Sequence, residues 1–262
     1  MKQKSSYDLL GNIVIVKFFP ETKLSEKKKF ANDFLKKHKA IKTVLEKVGK
    51  FKGRLRKQET KLVAGEKTKE ALYRENDCVF RFNVDKTYFS HRLSNERKEV
   101  SKLIKKRDSV LVMCAGVAPF PVVIARNSKA KEIFSNEINR EANKYAKLNI
   151  ELNKVKDRVF LVPGDIKKVA RKLVSEKKKF DVIVMARPQL KDSFLKEAFS
   201  LSKKGTRIYY YDFCKEEDIN SISEKVKLEA RSAKKKIKIF KVKKAGEIGP
   251  YRFRVRVDFK IL

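Results

Sequence analysis

Three short turns in the middle of this sequence carry its most specific chemistry. Gly116 follows an apolar run, Glu137 ends a second one and Asp165 follows a third. A glycine lets the backbone approach a ligand closely. An acid that ends a second strand can accept hydrogen bonds from both ribose hydroxyls, and Asp165 could bind an adenine amino group. The ordered set predicts a pocket for a nucleoside-bearing cofactor, in which we also place the neighbouring Ile138 and Ile166.

Other interpretations of these turns have less support. Taken alone, each residue could do no more than shape a turn. The G-x-G-x-x-G spacing of a dinucleotide site and the G-x-x-x-x-G-K-[ST] spacing of a phosphate loop are both missing. NAD is therefore disfavoured, and a phosphate cradle has no support. Three widely spaced cysteines and only two histidines disfavour a disulfide framework and a metal site, and they fit a reducing cytosol.

The elements around the turns alternate between strand and helix. Helical patterns separate five predicted strands, at residues 110–112, 133–136, 159–162, 181–185 and 207–211. Two segments with alternating apolar and basic residues follow, at 236–242 and 252–259, and turn residues lie between them. They predict an antiparallel hairpin. An α/β chain whose doubly wound sheet ends in such a hairpin is typical of class I methyltransferases.

The residues before this alternation predict a small α+β domain. Its predicted elements are a basic amphipathic helix at 25–37 and strands at 12–18, 43–45 and 79–84, with strands and loops within 49–65. We therefore divide the chain into a small domain at residues 1–88, expected to contact the substrate, and a methyltransferase-like domain at residues 89–262. A helix at 94–106, with Ser94 as its N-cap, opens the second domain.

The charge of the chain indicates a polyanionic partner. The 262 residues include 67 Lys and Arg against 32 Asp and Glu, a net charge of +35 that no fold requires. Nucleic acid is the simplest such partner. A lysine-rich proteome would also raise the lysine content, but Asp and Glu do not rise with it. The cations cluster before and within the predicted hairpin and in the small domain, at Lys234, Lys235, Lys236, Lys238, Lys241, Lys243, Lys244, Arg252, Arg254 and Arg256, and at Lys50, Lys52, Arg54, Arg56 and Lys57.

Aromatic side chains near these cations could stack on an unpaired RNA base. The candidates are Tyr88, Phe89 and the three residues Tyr209–Tyr211, although a buried strand would equally explain the tyrosines. The first six residues include no apolar segment, and the chain has no run of about 18 apolar residues. We therefore expect a soluble cytoplasmic protein that does not enter a membrane.

Three segments resemble the signatures of one family. Residues 88–97, YFSHRLSNER, resemble Y-F-S-x-R-L-x-x-E-R; residues 114–120, CAGVAPF, resemble F-A-G-V-G-P-F; and residues 149–153, NIELN, resemble N-I-x-L-N. These belong to the tRNA (guanine-37-N1) methyltransferases of archaea and eukaryotes, and the resemblance covers roughly residues 8–262. It implies S-adenosylmethionine as cofactor, the anticodon loop and stem of tRNA as partner, and a monomer. The family usually has an additional N-terminal domain, which we expect this chain to lack, as some archaeal members do.

The resemblance also implies roles for individual residues. Methyl transfer to guanine N1 needs a base near N1 and a positive donor near O6. Glu96 matches the proposed base and Arg56 the proposed donor, although Glu96 and Arg97 could simply form an exposed first helical turn, where an acid is favoured. The resemblance adds contacts to the cofactor from Arg92, Cys114 and Phe120, and contacts to the substrate from Tyr88, Arg97 and Pro188. Arg187, which departs from the family pattern, could substitute as a donor to the substrate or change the substrate.

Two departures from the family pattern leave other activities open. Val112 replaces the acid of D-x-F-A-G, and Ala186-Arg187-Pro188 replaces N-L-P. Some archaeal relatives methylate both guanosine and the tricyclic precursor 4-demethylwyosine at position 37, so dual activity is one hypothesis. A wyosine-pathway enzyme that transfers an aminocarboxypropyl group from the same cofactor is another. The third is a non-catalytic RNA-binding protein with a degenerate cofactor site, which the intact Glu137 and Asp165 disfavour.

Overall fold

A computed structural model describes residues 6–262 of the chain, with the backbone alone at residues 50–52. The predicted cations Lys50 and Lys52, and the first five residues, therefore lie outside the side chains that are described. The chain forms two compact units, one that ends at His91 and one that spans Arg92–Leu262. Within residues 6–262, no helix combines the length and the apolar character needed to cross a membrane.

The first unit contains two small sheets and one helix. Its elements are β1 (Ser6–Leu10), β2 (Ile13–Lys17), α1 (Leu24–Lys37), β3 (Thr43–Lys52), β4 (Lys57–Gly65), β5 (Glu70–Glu75) and β6 (Cys78–Asn83). Strands β1 to β4 form one sheet in sequence order, and β5 pairs with β6. Apolar side chains of β2, β3 and α1 form the core of the larger sheet. The sequence predicted β2, α1, β3 and β6 but not β1 and β5, whose mixed polar and apolar residues have little pattern.

Gly11 shows why one turn of this unit requires glycine. It lies between β1 and β2 with a positive φ of 64°. A Cβ at this position would lie 1.8 Å from the carbonyl oxygen of Leu72. Any larger residue would therefore both strain the turn and push β5 away from it.

The second unit is a doubly wound sheet with helices on both faces. Its elements are α2 (Ser94–Leu103), β7 (Ser109–Met113), α3 (Pro119–Asn127), β8 (Glu132–Glu137), α4 (Arg140–Leu152), β9 (Val159–Pro163), α5 (Ile166–Ser175), β10 (Phe180–Met185), α6 (Leu195–Ser200), β11 (Ser202–Lys215), α7 (Ile219–Ser232), β12 (Ile237–Gly249) and β13 (Arg252–Ile261). The strand order is β12-β13-β11-β10-β7-β8-β9. Strands β7 to β11 are parallel, and β13 runs antiparallel to both of its neighbours. The predicted class I methyltransferase fold is confirmed.

The strand order determines where a ligand can bind. The order reverses between β7 and β10, whose helices return on opposite sides of the sheet. Ligands of open α/β sheets bind outside the carboxyl ends of the strands at such a switch point. The turns that follow β7, β8 and β9 all lie at this edge, because the three strands are parallel neighbours.

Two strands near the end of the chain are more deeply buried than the sequence suggested. Tyr209, Tyr210 and Tyr211 of β11 are all at most 1% exposed, so the idea that they stack on an RNA base is wrong. Strand β13 lies between β12 and β11 rather than at an edge. Arg254 and Arg256 are buried, the latter by its bonds to α2, and of the three arginines on β13 that were predicted to contact a polyanion Arg252 is exposed.

The start of α2 also differs from the prediction. The helix begins at Ser94 itself, directly after a 3-10 turn at His91–Leu93, so Leu93 rather than Ser94 is the N-cap. Glu96 is therefore the third helical residue, where a carboxylate interacts favourably with the exposed N–H groups of the first turn.

Candidate functional site

The turn after β7 has an unusual backbone. Cys114, Gly116 and Ala118 all have left-handed φ angles, of 57°, 60° and 64°. This conformation costs energy at the two residues that are not glycine. The backbone N–H of Ala115 donates to the carbonyl oxygen of Asn136 over 2.8 Å, which holds the turn against the end of β8. The turn is therefore shaped before any ligand arrives.

Phe120 follows this turn at the beginning of α3. Pro119 occupies the first helical position, where its fixed φ suits a helix start. The Phe120 ring is 2% exposed and its centroid is 5.9 Å from that of Tyr211 on β11. Phe120 thus packs against β11 at the end of the turn, and its predicted contact with the cofactor stays a prediction.

Glu137 joins the first two turns. Its Oε2 accepts the N–H of Gly116 over 2.8 Å, and its Oε1 accepts the N–H of Asn139 over the same distance. Burial raises the pKa of Glu137, while backbone N–H bonds from Asn139, Gly116 and Ile138 oppose that rise. Each carboxylate oxygen has a second lone pair, so the group can still accept hydrogen bonds from two ribose hydroxyls.

The third turn is fastened to the second. Gly164, with a φ of 127°, donates its N–H to the Glu137 carbonyl oxygen over 2.8 Å. The amide of Asn136 donates to the carbonyl oxygens of Val162 and Gly164 over 2.9 and 3.0 Å. Asp165 caps α5 by accepting the N–H of Lys167 over 2.9 Å. The structure therefore brings Gly116, Glu137 and Asp165 to one edge of the sheet.

The two predicted isoleucines differ in their surroundings. Ile138 follows Glu137 and is half-buried, so its side chain remains partly accessible at this edge. Ile166 is 3% exposed and packs within the core of the second unit. Ile166 thus supports the start of α5, and its predicted contact with the cofactor stays a prediction.

Asn149 is a site residue whose role the sequence did not reveal. It is fully buried in α4, and its amide donates to the Val117 carbonyl oxygen over 3.0 Å. The amide of Asn153 in turn donates to the Asn149 carbonyl oxygen over 2.7 Å. The N-I-x-L-N segment therefore holds the turn after β7 from behind. The sequence signals were two asparagines one helical turn apart and the resemblance of residues 149–153 to N-I-x-L-N.

Glu96 lies in a buried ionic network that joins α2 to the last strands. Its Oε2 accepts hydrogen bonds from Nη1 of Arg256 over 2.6 Å and from the Tyr211 hydroxyl over 3.0 Å. Its Oε1 lies 2.8 Å from Nζ of Lys243 on β12. Glu96 is 5% exposed. The structure thus replaces the exposed first turn that chemistry alone suggested with a carboxylate held by three partners.

Arg256 is the centre of this network. It is 0% exposed and donates to Asp258 through Nε over 2.7 Å and to Glu99 through Nη2 over 2.7 Å. Burial raises the pKa of Glu99, but hydrogen bonds from Lys243 and Arg256 outweigh it and lower the pKa to about 2. The predicted phosphate contact by Arg256 is therefore wrong, because its donors are used within the protein.

Two further predicted residues, Arg92 and Arg97, lie near the start of the second unit. Arg97 is 1% exposed, and its guanidinium lies 5.8 Å from the centroid of the Phe120 ring. Its burial does not favour direct contact with a substrate. Arg92, at the start of the unit, is exposed. The roles predicted for both arginines stay predictions.

In the first unit, Arg56 and Tyr88 lie together. Arg56 has a left-handed φ of 52° in the turn between β3 and β4, and its guanidinium is 5.7 Å from the Tyr88 ring centroid. This is a cation–π distance. The neighbouring Phe89 instead stacks on Phe82 with ring centroids 4.4 Å apart. Phe89 therefore belongs to the core around the β5–β6 hairpin, and its predicted stacking on RNA is wrong.

Arg187 is buried rather than presented to a ligand. Its Nη1 donates to the Asp212 carboxylate, its Nη2 to the carbonyl oxygens of Leu190 and Asp192, and its Nε again to that of Asp192. Arg187 is 3% exposed, so its burial does not favour the predicted donation to a substrate. Pro188 and Ala186 are half-buried beside it.

Exposed lysines follow the outer strand of the second unit. Lys234, Lys236, Lys238, Lys241 and Lys244 are all exposed along or just before β12. Lys241 also lies 3.2 Å from Glu99, and Lys244 pairs with Glu216. Part of the predicted basic surface is thus neutralised locally, and the rest is available to a polyanion.

Comparison with protein families gives two matches that together span most of the chain. Residues 71–240 match the TRM5/TYW2 methyltransferase domain. Residues 2–68 match the TYW2 N-terminal domain. The first match contains all three turns at the sheet edge and the α2 segment with Glu96.

Individual relatives match over nearly the full chain. The tRNA (guanine(37)-N(1))/4-demethylwyosine(37)-methyltransferase Taw22 of Nanoarchaeum equitans is 32% identical over 98% of this chain and 100% of its own length. A crystal structure of Trm5b from Pyrococcus abyssi has a TM-score of 0.85 and 32% identity, over 98% of this chain and 74% of that one. Trm5 from Methanocaldococcus jannaschii in complex with adenosine has a TM-score of 0.80 and 26% identity, with the same two coverages.

Proposed function

This chain belongs to the TRM5/TYW2 methyltransferase family, and from that premise we propose that it transfers a methyl group from S-adenosylmethionine to N1 of guanosine 37 in tRNA. The observation that carries the proposal is the match of residues 71–240 to the methyltransferase domain, which contains the three joined turns at the switch point. At the coarser level, the family match and the named relatives support an S-adenosylmethionine-dependent enzyme that modifies tRNA, and the transferred group is part of the proposal. The target atom is the finer part of the proposal.

The three turns fit the chemical groups of the cofactor. Glu137 offers two carboxylate oxygens to the ribose hydroxyls, and Asp165 offers an acceptor to the adenine amino group. The left-handed turn at Cys114 to Ala118 brings backbone close to the ligand, with Phe120 beneath it. S-adenosylmethionine supplies a methyl carbon made electrophilic by a positively charged sulfur. The residues of this edge bind and orient that group.

Glu96 is the proposed base for the N1 proton. Guanine N1 is protonated at neutral pH, so a carboxylate must accept this proton as the new bond forms. Arg256 and the Tyr211 hydroxyl both occupy Oε2 and fix the orientation of the carboxylate. Among the residues that the structure describes, Oε1 bonds only to Lys243, whose side chain is 28% exposed, so we assign the proton to Oε1.

The substrate contacts of this proposal come from cations and one aromatic ring. Arg56, with its guanidinium near Tyr88, is the proposed donor to guanine O6, where negative charge develops as N1 loses its proton. The exposed lysines of β12 supply contacts to the phosphates of the anticodon stem and loop. Phosphate contacts give affinity that falls with salt, and they do not select a base.

Two further activities have specific support. The Nanoarchaeum relative is named for both guanosine 37 and 4-demethylwyosine 37, and its whole length matches this chain. Methylation of both bases is therefore the broader form of the proposal. Transfer of an aminocarboxypropyl group is the second candidate function, because residues 2–68 match the TYW2 N-terminal domain.

A double-label experiment separates these activities. S-adenosylmethionine labelled with ¹⁴C at the methyl group and ³H in the aminobutyrate chain is incubated with the protein and tRNA, and the tRNA is digested to nucleosides. We expect ¹⁴C on guanosine 37 and S-adenosylhomocysteine as the by-product. Transfer of ³H with release of methylthioadenosine would instead identify the aminocarboxypropyl reaction. A tRNA with adenosine at position 37 is the control.

The same digest tests the broader and the non-catalytic alternatives. A second tRNA that contains 4-demethylwyosine at position 37 runs in parallel, and ¹⁴C on both nucleosides establishes dual activity. If neither ¹⁴C nor ³H appears on either tRNA, and calorimetry detects no binding of S-adenosylmethionine, the remaining interpretation is an RNA-binding protein with a degenerate cofactor site.

A further inference from the structure

The segment between β10 and α6 is held in place by its own arginine. Arg187 donates to the carbonyl oxygens of Leu190 and Asp192, both later in the same segment. Its remaining bond goes to the Asp212 carboxylate on β11. One buried guanidinium thus ties residues 187–192 into a closed turn and fastens that turn to the sheet.

Two more contacts fasten the segment to neighbouring helices. The Asp192 carboxylate lies 2.9 Å from Nζ of Lys167 in the first turn of α5. The Ser193 hydroxyl donates to Glu229 on α7 over 2.6 Å. Lys167 also supplies the backbone N–H that Asp165 accepts, so the segment is connected to the third cofactor turn through a single residue.

The segment leaves the sheet beside the first cofactor turn. Met185 at the end of β10 pairs in register with Met113 at the end of β7. Ala186 and Cys114, the next residues, therefore leave neighbouring parallel strands at the same edge. Whatever lies in front of the turn after β7 has the segment that begins at Ala186 next to it.

Desolvation of the Arg187 guanidinium opposes folding, so its burial must be compensated by the interactions that it makes. Asp212 does not rely on Arg187 alone, since it also accepts the Tyr210 hydroxyl over 2.6 Å and Nζ of Lys225 over 3.0 Å. Buried ion pairs contribute little net stability but can select one geometry. The contribution that is specific to Arg187 is the closed turn of residues 187–192, because its guanidinium bonds the carbonyl oxygens of Leu190 and Asp192.

We propose that Arg187 is a positioning residue, which fixes residues 186–193 as a rigid wall of the substrate site and acts through that wall rather than by touching the base. This inference rests on the proposed function, because the wall matters only if a base enters at this edge. Ala186 contributes a methyl group and no hydrogen-bonding side chain. Orientation of the base on this side therefore comes from the backbone that Arg187 holds.

The first test is Arg187→Lys, which retains the charge beside Asp212. A lysine presents a point charge and cannot bridge two carbonyl oxygens and a carboxylate at once. We expect kcat for methyl transfer to fall about 10- to 100-fold, because a misplacement of about 1 Å can cost that much. The KM for tRNA and the dissociation constant for S-adenosylmethionine should stay unchanged. Equal losses in kcat and cofactor affinity, or an unchanged kcat, would overturn the proposal.

Lys225→Met is the matched control. It removes a second cation from the same Asp212 carboxylate but leaves every bond of Arg187 to the segment. Its kcat should equal that of the natural protein. A loss in Lys225→Met as large as that in Arg187→Lys would assign the effect to the charge of Asp212 and overturn the positioning role. If Arg187→Lys does not fold, Asp212→Asn replaces it. A fall in kcat together with faster amide exchange of residues 189–193 would support the positioning role, and a fall in kcat with unchanged exchange would overturn it.

Amide hydrogen exchange measures the rigidity of residues 186–193 without requiring methyl transfer. Residues 189–193 should exchange at least about 10-fold faster in Arg187→Lys than in Lys225→Met, because the turn loses the bonds that close it. This separates two failures. A natural protein that transfers no methyl group would refute the proposed function, whereas equal exchange in the two variants would refute the role of Arg187.

Discussion

The cofactor turns and the Glu96 network solve the same problem with different chemistry. The turns after β7, β8 and β9 are joined mainly by backbone N–H groups and the neutral amides of Asn136 and Asn149, with one carboxylate, that of Glu137, bonded to backbone N–H groups. Helix α2 is joined to β12 and β13 by buried charges centred on Arg256. Neutral hydrogen bonds do not depend on pH, whereas a buried charge network is destabilised by protonation of its carboxylates or by loss of its central cation. The difference indicates that the two regions should respond differently to substitution and to pH.

The largest expected effect is on the rate of methyl transfer in Glu96→Gln. A glutamine retains the shape and an acceptor for Arg256 but cannot take the N1 proton. We expect kcat to fall about 100- to 10,000-fold, the usual range for loss of a general base. The affinity for tRNA, measured by filter binding, should stay nearly unchanged.

Glu99→Gln is the control for this prediction. Glu99 shares Arg256 and Lys243 with Glu96 but is not assigned to the substrate. Its loss should leave kcat almost unchanged. A similar fall in both variants would show that the network as a whole, and not the carboxylate of Glu96, determines the rate.

Next in size is the loss of stability in Arg256→Met. This change leaves Glu96 and Asp258 buried without their shared cation. Removal of one partner of a buried ion pair costs about 3–5 kcal/mol. Urea unfolding followed by circular dichroism should show this decrease in the free energy of unfolding. Arg252→Met, at the exposed start of the same strand, should change it by less than about 0.5 kcal/mol. Equal effects would remove Arg256 from its central position.

The cofactor turns should show the opposite profile in Glu137→Gln. The substitution removes a buried charge but places an amide NH2 group against one of the two backbone N–H groups that the carboxylate accepts, so the free energy of unfolding should fall less than in Arg256→Met. The affinity for S-adenosylmethionine should decrease by about 1.5–3 kcal/mol, the contribution of hydrogen bonds to a charged group. Isothermal calorimetry measures this loss. The control is Glu141→Gln, four residues later in the first turn of α4, which should bind S-adenosylmethionine with unchanged affinity. Unchanged affinity in Glu137→Gln would contradict the ribose assignment.

The smallest expected effect is a pH dependence that belongs to the charge network. The folded pKa of Glu99 is lowered to about 2 from an ordinary value of 4.5. Its contribution to stability is therefore complete above the ordinary value and is lost as the pH falls from there towards about 2. The urea midpoint of the natural protein should drop more between about pH 5 and about pH 3 than that of Glu99→Gln. Parallel curves for the two proteins would show that Glu99 carries no such linkage.

The sequence predicted the fold and the cofactor edge because both depend on local patterns. Apolar runs between helical segments gave the five parallel strands, and the small turns with Glu137 and Asp165 lie within a few residues of their strand ends. Strands β1 and β5 were missed because short strands with charged residues have little periodicity. The placement of Gly116, Glu137 and Asp165 at one edge could be predicted for a similar reason, because each lies where its own strand ends.

The charge network could not be predicted in the same way. Alternating basic and apolar residues on β13 are typical of a strand with one solvated face, yet residues of both faces are buried, with Arg256 bonded to α2 and α7 in contact with the strand. The partners of Arg256 on α2 lie 157 and 160 residues away in the sequence. Arg187 was misjudged for a related reason, since its carboxylate partner Asp212 is on another strand. No local pattern reports such distant pairs.

The distance along the chain between Glu96 and Arg256 has a consequence for the order in which the protein is made. Residue 96 leaves the ribosome long before β12 and β13 are synthesised. The carboxylate of Glu96 in a half-synthesised chain therefore has neither Lys243 nor Arg256 as a partner. Contacts between such distant residues also form slowly in folding. The cofactor edge, complete by residue 166, can assemble while translation continues, but the proposed base is set in place only when the last strand enters the sheet. A chain interrupted before that strand would contain the three turns but would lack Arg256, which holds the carboxylate of Glu96.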